Sequence, residues 1–94
     1  MADKRIQYKV DGEVQGVNFR QFTAKHGEKV GVTGHVQNTP DGSVTGEAQG
    51  SHDAIDKFVQ HLNKGPPAAS VSNVEHSEID AKEGESGFHV NRSS

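Results

Sequence analysis

Polar and apolar residues alternate near the start of the chain, where Ile6, Tyr8 and Val10 fall between Arg5, Gln7 and Lys9. A period of two is that of a strand with one buried face, and its end is expected at Asp11-Gly12. From Phe19 the period lengthens. Phe19, Thr23, Gly27 and Val30 share one stripe of a helix, with His26 beside it and Gln21, Lys25 and Glu28 on the wetter side. Gly31 is placed to end that helix as a C′ glycine. Gly34 to Asn38 reads as a second strand, and Thr39-Pro40-Asp41-Gly42 as a tight turn in which Pro presets φ and Gly closes the bend. Ser43 to Gln49 is the returning arm of the hairpin.

Ser51 stands at an N-cap position, Asp53 suits the positive end of a helix, and Ala54, Ile55, Phe58, Val59 and Leu62 form a broad apolar stripe. Asn63-Lys64-Gly65 ends this second helix, and Pro66-Pro67 cannot extend it. A strand lies within Val71 to Ile79 and is a candidate exposed edge. A charged, glycine-bearing excursion runs from Ala81 to Gly87, and Phe88 and Val90 mark a short final strand. The order is βαββαβ, and each helix has one apolar stripe to bury. It predicts an α+β fold, a two-layer ferredoxin-like sandwich with an antiparallel sheet and both helices on one face. Such a fold hosts many functions, so function must be read from the site. Residues 1–94 are expected to form a single domain, with 1–4 and 91–94 fraying at its ends.

Only 30% of the 94 residues are hydrophobic, a thin supply for one core. They fall in periodic clusters, which argues against disorder. A net charge of -3 leaves no global basic field for nucleic acid or an anionic membrane, so any anion site must be local. The five aromatic residues, Tyr8 included, leave the sheet no pair on which to stack single-stranded RNA. The chain has no cysteine, its N-terminus lacks the apolar core of a signal peptide, and no run is long enough to cross a bilayer. Those features point to the cytoplasm.

Candidate chemistry begins at Gly12-Glu13-Val14-Gln15-Gly16-Val17-Asn18-Phe19-Arg20. Glycines let backbone approach a ligand closely, the unpaired N–H groups of a first helical turn attract anions, and an arginine there adds a planar donor fork matched to phosphate oxygens. An exposed helix-start arginine without a role is the plainer alternative. Asn38, at a strand end before a tight turn, can donate and accept at once without titrating, which suits it to holding a water. It can equally bond its own backbone. Together the two describe a reaction in which loop N–H groups and Arg20 neutralise a phosphoryl group while Asn38 positions water for attack on phosphorus. Apart from Glu13, no carboxylate or histidine accompanies the loop, so a leaving group in need of a general acid fits poorly. An acyl phosphate has no such need, because it expels a carboxylate whose conjugate acid has a pKa of about 4.

A nonenzymatic phosphate-binding or protein-interaction module on the same fold is the competing reading. Six histidines, His26, His35, His52, His61, His76 and His89, are scattered along the chain without paired spacing. His52 and His61 share a helix but lie about 180° apart around it at 3.6 residues per turn. No metal site is expected, since ligands must converge.

The loop from Gly12 to Arg20 resembles the acylphosphatase signature, through Val14-Gln15-Gly16-Val17 and Phe19-Arg20, and Gly34-His35-Val36-Gln37-Asn38-Thr39 resembles that family's second motif. The similarity extends through Asp41-Gly42-Ser43-Val44, the helix of Phe58, Gly65-Pro66 and Gly87-Phe88. It implies one acylphosphatase-like domain that hydrolyses carboxyl-phosphate bonds without metal or other cofactor. It also implies that Arg20 binds phosphate, that Asn38 orients the nucleophilic water, and that backbone N–H groups of Gln15, Gly16, Val17, Asn18 and Phe19 cradle the phosphoryl group. The expected partners are a small acyl phosphate and the product phosphate, with no nucleic acid, no membrane and a monomeric enzyme. His35 stands where the family usually has an aromatic. Gly27 replaces the usual alanine, and a glycine inside a helix costs about 1 kcal/mol relative to alanine.

Overall fold

The computed structural model describes residues 3–15 and 18–91. Its elements are β1 (Lys4–Glu13), α1 (Phe19–Val30), β2 (Thr33–Asn38), β3 (Val44–Gly50), α2 (His52–Lys64), β4 (Ser70–Ile79) and β5 (Phe88–Asn91). The alternation in β1 does what a pleated strand requires: Ile6, Tyr8 and Val10 are buried. Their cross-strand neighbours on β3 are Ala48, Gly46 and Val44. Phe19, Thr23 and Gly27 form the buried stripe of α1, and Ala54, Ile55, Phe58 and Leu62 that of α2. Ser51 caps α2 by accepting from the Ala54 amide, and Gly31 ends α1 in the left-handed region, its N–H bonded to the carbonyls of Gly27 and Glu28. The turn after β2 closes with the Gly42 amide on the Thr39 carbonyl at 3.2 Å.

The strands form one sheet in the order β4-β1-β3-β2-β5. Both helices pack against it over a shared core. Phe58 is fully buried at its centre, edge-on to Tyr8 with ring centroids 5.3 Å apart, and 5.5 Å from Phe88. Truncating such a ring to alanine costs about 3–5 kcal/mol. β4 is an edge strand, as expected for Val71 to Ile79, and its Val71 and Val74 are half-buried. All five aromatic rings lie in the core or between the helices, none on the sheet's other face.

Three expectations need correction. The pairs β1–β3, β1–β4 and β2–β3 are antiparallel, but β5 runs parallel to β2, so the sheet is mixed. The reason is the route of the chain. β4 ends beside the start of β1, with Ile79 opposite Arg5, and residues 80–87 cross that end of the sheet before Phe88 enters opposite Gly34. Next, β1 does not stop at Asp11-Gly12. Its register with β4 shifts between those residues and pairing continues to Glu13, opposite Ser70. Gly12 is a bulge residue, with φ +126° and space so tight that a Cβ would lie 2.1 Å from the Ser70 carbonyl oxygen. Finally, Lys4 and Asn91 stand inside strands, paired with Gly50 and Gln37.

Gly27 also acquires a reason. A Cβ there would lie 2.7 Å from the ring of Phe88, so the missing methyl lets α1 settle onto β5. Across the helix pair, His26 stacks on His61 at 4.0 Å between centroids, with Phe22 4.4 Å from His26. The spacing of His61 from His52 on their own helix gave no hint of this contact.

Candidate active site

The end of the sheet opposite the 80–87 crossing gathers four pieces of chain: the exit of β1, the start of α1, the exit of β2 and the exit of β5. Asn18 is the N-cap before α1, and its φ of 62° puts a non-glycine residue in the left-handed region. Its side chain makes no capping bond, and no acidic residue occupies the first turn. The first-turn N–H groups therefore carry the positive end of the helix dipole without a local carboxylate to neutralise it. Phe19 is buried and anchors this turn, and Asn18 is exposed.

Arg20 follows on the half-exposed side. Its Nη1 donates to the backbone carbonyl of Asn91 at 3.1 Å. Asn91 pairs with Gln37, the residue before Asn38, so the guanidinium is tied to the strand that carries the asparagine. Asn38 is half-buried at the end of β2, opposite Val44 on the helix-facing side. The other tie comes from Gln15, whose Nε2 donates to the carbonyls of Thr39 at 2.7 Å and Ser43 at 2.8 Å. Gln15, Asn18, Phe19, Arg20 and Asn38 thus meet at one end of the sheet. Gly16 and Val17, the remaining members of the expected cradle, lie outside the described residues.

The turn beyond Asn38 is braced by charge. Asp41 accepts from the Thr39 hydroxyl and from Lys9, with the Lys9 Nζ at 3.2 Å. Those bonds and the Ser43 amide hold its carboxyl down at about 2. Ser43 donates its hydroxyl to Asp11 at 2.5 Å. Sequence reasoning missed three contributors here: the Gln15 side chain, the Asn91 carbonyl and the Asp11–Ser43 bond. Gln15 was visible only for its backbone, Asn91 sat in a tail expected to fray, and Asp11 and Ser43 are 32 residues apart.

A concavity of about 580 Å³ opens on the helix-free face of the sheet, lined in part by Gln7, Lys9, His35, Gln37, Glu47 and Glu75. Three of its polar side chains are already paired. Lys9 pairs with Asp41, Glu47 with Arg5, and Gln7 donates to Ser77. His35 faces this side, so it is not packing beside the helix that carries Arg20. Among the described residues, no group of three or more His, Asp or Glu side chains is arranged to hold a metal ion, and no helix is long and apolar enough to cross a membrane.

A sequence model of acylphosphatase matches residues 6–90, taking in the loop, both helices and the Asn38 turn. The chain belongs to the acylphosphatase family. It is 40% identical over 91 residues to an acylphosphatase of Salinibacter ruber, covering 97% of this chain and 96% of that one. An acylphosphatase structure from Coxiella burnetii is similar with a TM-score of 0.89 at 39% identity, over 95% of this chain and 93% of that one. One from Bacillus subtilis gives the same TM-score at 33% identity, over 94% and 98% of the two chains. Family membership makes this chain a hydrolase of the acylphosphatase type, and the likeness extends to the ferredoxin-like α+β fold.

Proposed function

We propose that the chain hydrolyses small acyl phosphates without a metal ion, Arg20 binding the phosphoryl group and Asn38 orienting the attacking water. The backbone N–H groups of Gln15, Gly16, Val17, Asn18 and Phe19 are the proposed cradle. The observation that carries this reading is the start of α1. It is a helix N-terminus with no side-chain cap and no first-turn acid, beside an arginine that no carboxylate claims among the described residues.

In the reaction, the water oxygen forms a bond to phosphorus and the bond between phosphorus and the acyl oxygen breaks. The electron pair leaves on the carboxylate, and both protons of the water leave with the phosphate product. Asn38 does not titrate, so its contribution is orientation, and the N–H groups and Arg20 stabilise charge on the phosphoryl oxygens. The weak basicity of the leaving carboxylate removes the need for a general acid. The enzyme is expected to act as a monomer in the cytoplasm, free of nucleic acid and membrane.

Hydrolysis of an aromatic acyl phosphate, measured with chelator present, tests this reading. Turnover should persist in chelator. Asn38→Ala should lower kcat by about 10²–10³ while leaving inhibition by phosphate within a few-fold. Equal loss of phosphate binding in Asn38→Ala and Arg20→Ala would sink the division of roles, and chelator inhibition reversed by added metal would sink metal independence.

A further inference from the structure

We infer, on the strength of the function proposed above, that the Gln15 side chain is a positioning residue for the reaction: it fixes the turn after Asn38, and so the asparagine itself, against the phosphate-binding loop. Gln15 was expected to contribute only its backbone N–H. Instead its carboxamide leaves the loop and donates to the carbonyls of Thr39 and Ser43, at 2.7 and 2.8 Å. Both acceptors belong to one turn. The Thr39 amide in turn donates to the Ser43 carbonyl at 2.9 Å, so Gln15 grips the pair that closes the hairpin.

Covalent connectivity makes the grip functional. Thr39 is bonded to Asn38, and Gln15 opens the segment that leads to Arg20. A shift of Gln15 therefore moves the water-orienting residue relative to the phosphate site. Both contacts are donations from the amide nitrogen, so a side chain of similar length without an N–H donor cannot reproduce them. Glutamate would face two carbonyl oxygens without a donor, and methionine would fill the space without a bond.

The turn does not depend on Gln15 to exist. Asp41 accepts from Thr39 and Lys9, Ser43 bonds Asp11, and the Gly42 amide closes the bend. Losing the Gln15 bonds leaves a folded turn at a less definite distance from the cradle. The consequence should appear in kcat more than in phosphate affinity, because misplacing a reacting group by a fraction of an ångström affects the transition state first.

The experiment compares wild type, Gln15→Met, Asn38→Ala and the double variant on an aromatic acyl phosphate, with inorganic phosphate as the inhibitor. Gln15→Met should lower kcat about 10- to 100-fold and leave phosphate inhibition within about threefold. In the Asn38→Ala background, Gln15→Met should cost nothing further, because its effect passes through Asn38. Undiminished kcat in Gln15→Met, or a loss that multiplies with that of Asn38→Ala, would overturn the inference. Inactive wild type, or Asn38→Ala at full rate, would instead overturn the functional reading. A further measurement does not depend on activity or on any variant. The side-chain amide protons of Gln15 in wild type should exchange slowly with solvent, and fast exchange would show that the grip is not held.

Discussion

The sheet has an arginine at each end, and the two are used in opposite ways. Arg5, 3% exposed, is saturated. Its Nε and Nη2 donate to Glu47 at 2.9 and 2.7 Å, its Nη1 and Nη2 to Glu85 at 2.8 and 3.2 Å, and its Nη1 also to Gln49. Glu85 further accepts from Thr33, and Gln49 exchanges bonds with the backbone of Lys82. Arg5 thereby pins the 80–87 crossing onto the sheet and delivers β5 to its place beside β2. Among the described residues Arg20 makes one bond, to the neutral carbonyl of Asn91, and it sits beside an uncapped helix start. A guanidinium surrounded by carboxylates is part of the scaffold. One oriented by a carbonyl keeps its charge available to an anion.

The largest effect that can break this comparison is on rate. Arg20→Met should lower kcat/KM by on the order of 10³, about 4 kcal/mol of transition-state stabilisation. Denaturant unfolding should move by no more than about 0.5 kcal/mol, as for a surface residue. Arg5→Met should do the reverse. It leaves Glu85 and Glu47 facing each other without their cation and should cost about 2–4 kcal/mol of stability by denaturant titration, less than a fully buried pair because Glu47 is 36% exposed. The folded fraction should keep its kcat.

Gly27→Ala probes how α1 is set against β5, and with it the Arg20–Asn91 contact. Helix propensity favours alanine by about 1 kcal/mol, but displacing the buried Phe88 ring costs about 1–3 kcal/mol, so a small net destabilisation should appear in thermal unfolding. The smallest effect lies on the pH axis, where the two ends separate. Burial first, then His61, Lys29, Lys25 and Lys64, holds the imidazole of His26 below its ordinary 6.5. Its contribution is whole above about that pH and is lost as pH falls through the lowered value. Glu85 is held below its ordinary 4.5 chiefly by the Arg5 hydrogen bond, so the 80–87 crossing loosens only in stronger acid. Amide exchange followed against pH should show the interface of the two helices opening before the crossing does.

Much of this molecule is legible in short-range pattern. Period two located Ile6, Tyr8 and Val10, period 3.6 located the stripes of Phe19 and Phe58, and turn and cap chemistry located Gly42, Ser51 and Gly31, because each signal depends on neighbours a few residues away. What pattern could not reveal depends on distant partners. Arg5 reads as an ordinary polar residue of an alternating strand, since its carboxylates lie 42 and 80 residues further on. The parallel pairing of β5 follows from that same long-range network. Gly12 was read as ligand-approach geometry, whereas its constraint is a carbonyl of β4. At the candidate site, Arg20 and Asn38 were singled out by chemistry and motif, but the groups that hold Arg20 and the turn after Asn38, the Asn91 carbonyl and the Gln15 amide, become visible only when the strands are side by side.

The central claim, that Arg20 and not Arg5 is the cation available to a phosphoryl group, is tested most directly by titrating inorganic phosphate into the protein and following both arginine Nε–H signals by NMR. The Arg20 signal and the backbone amides from Asn18 to Arg20 should shift together and saturate, while the Arg5 signal stays fixed. Saturable shifts confined to Lys9 and His35 on the helix-free face, with Arg20 unmoved, would contradict the account.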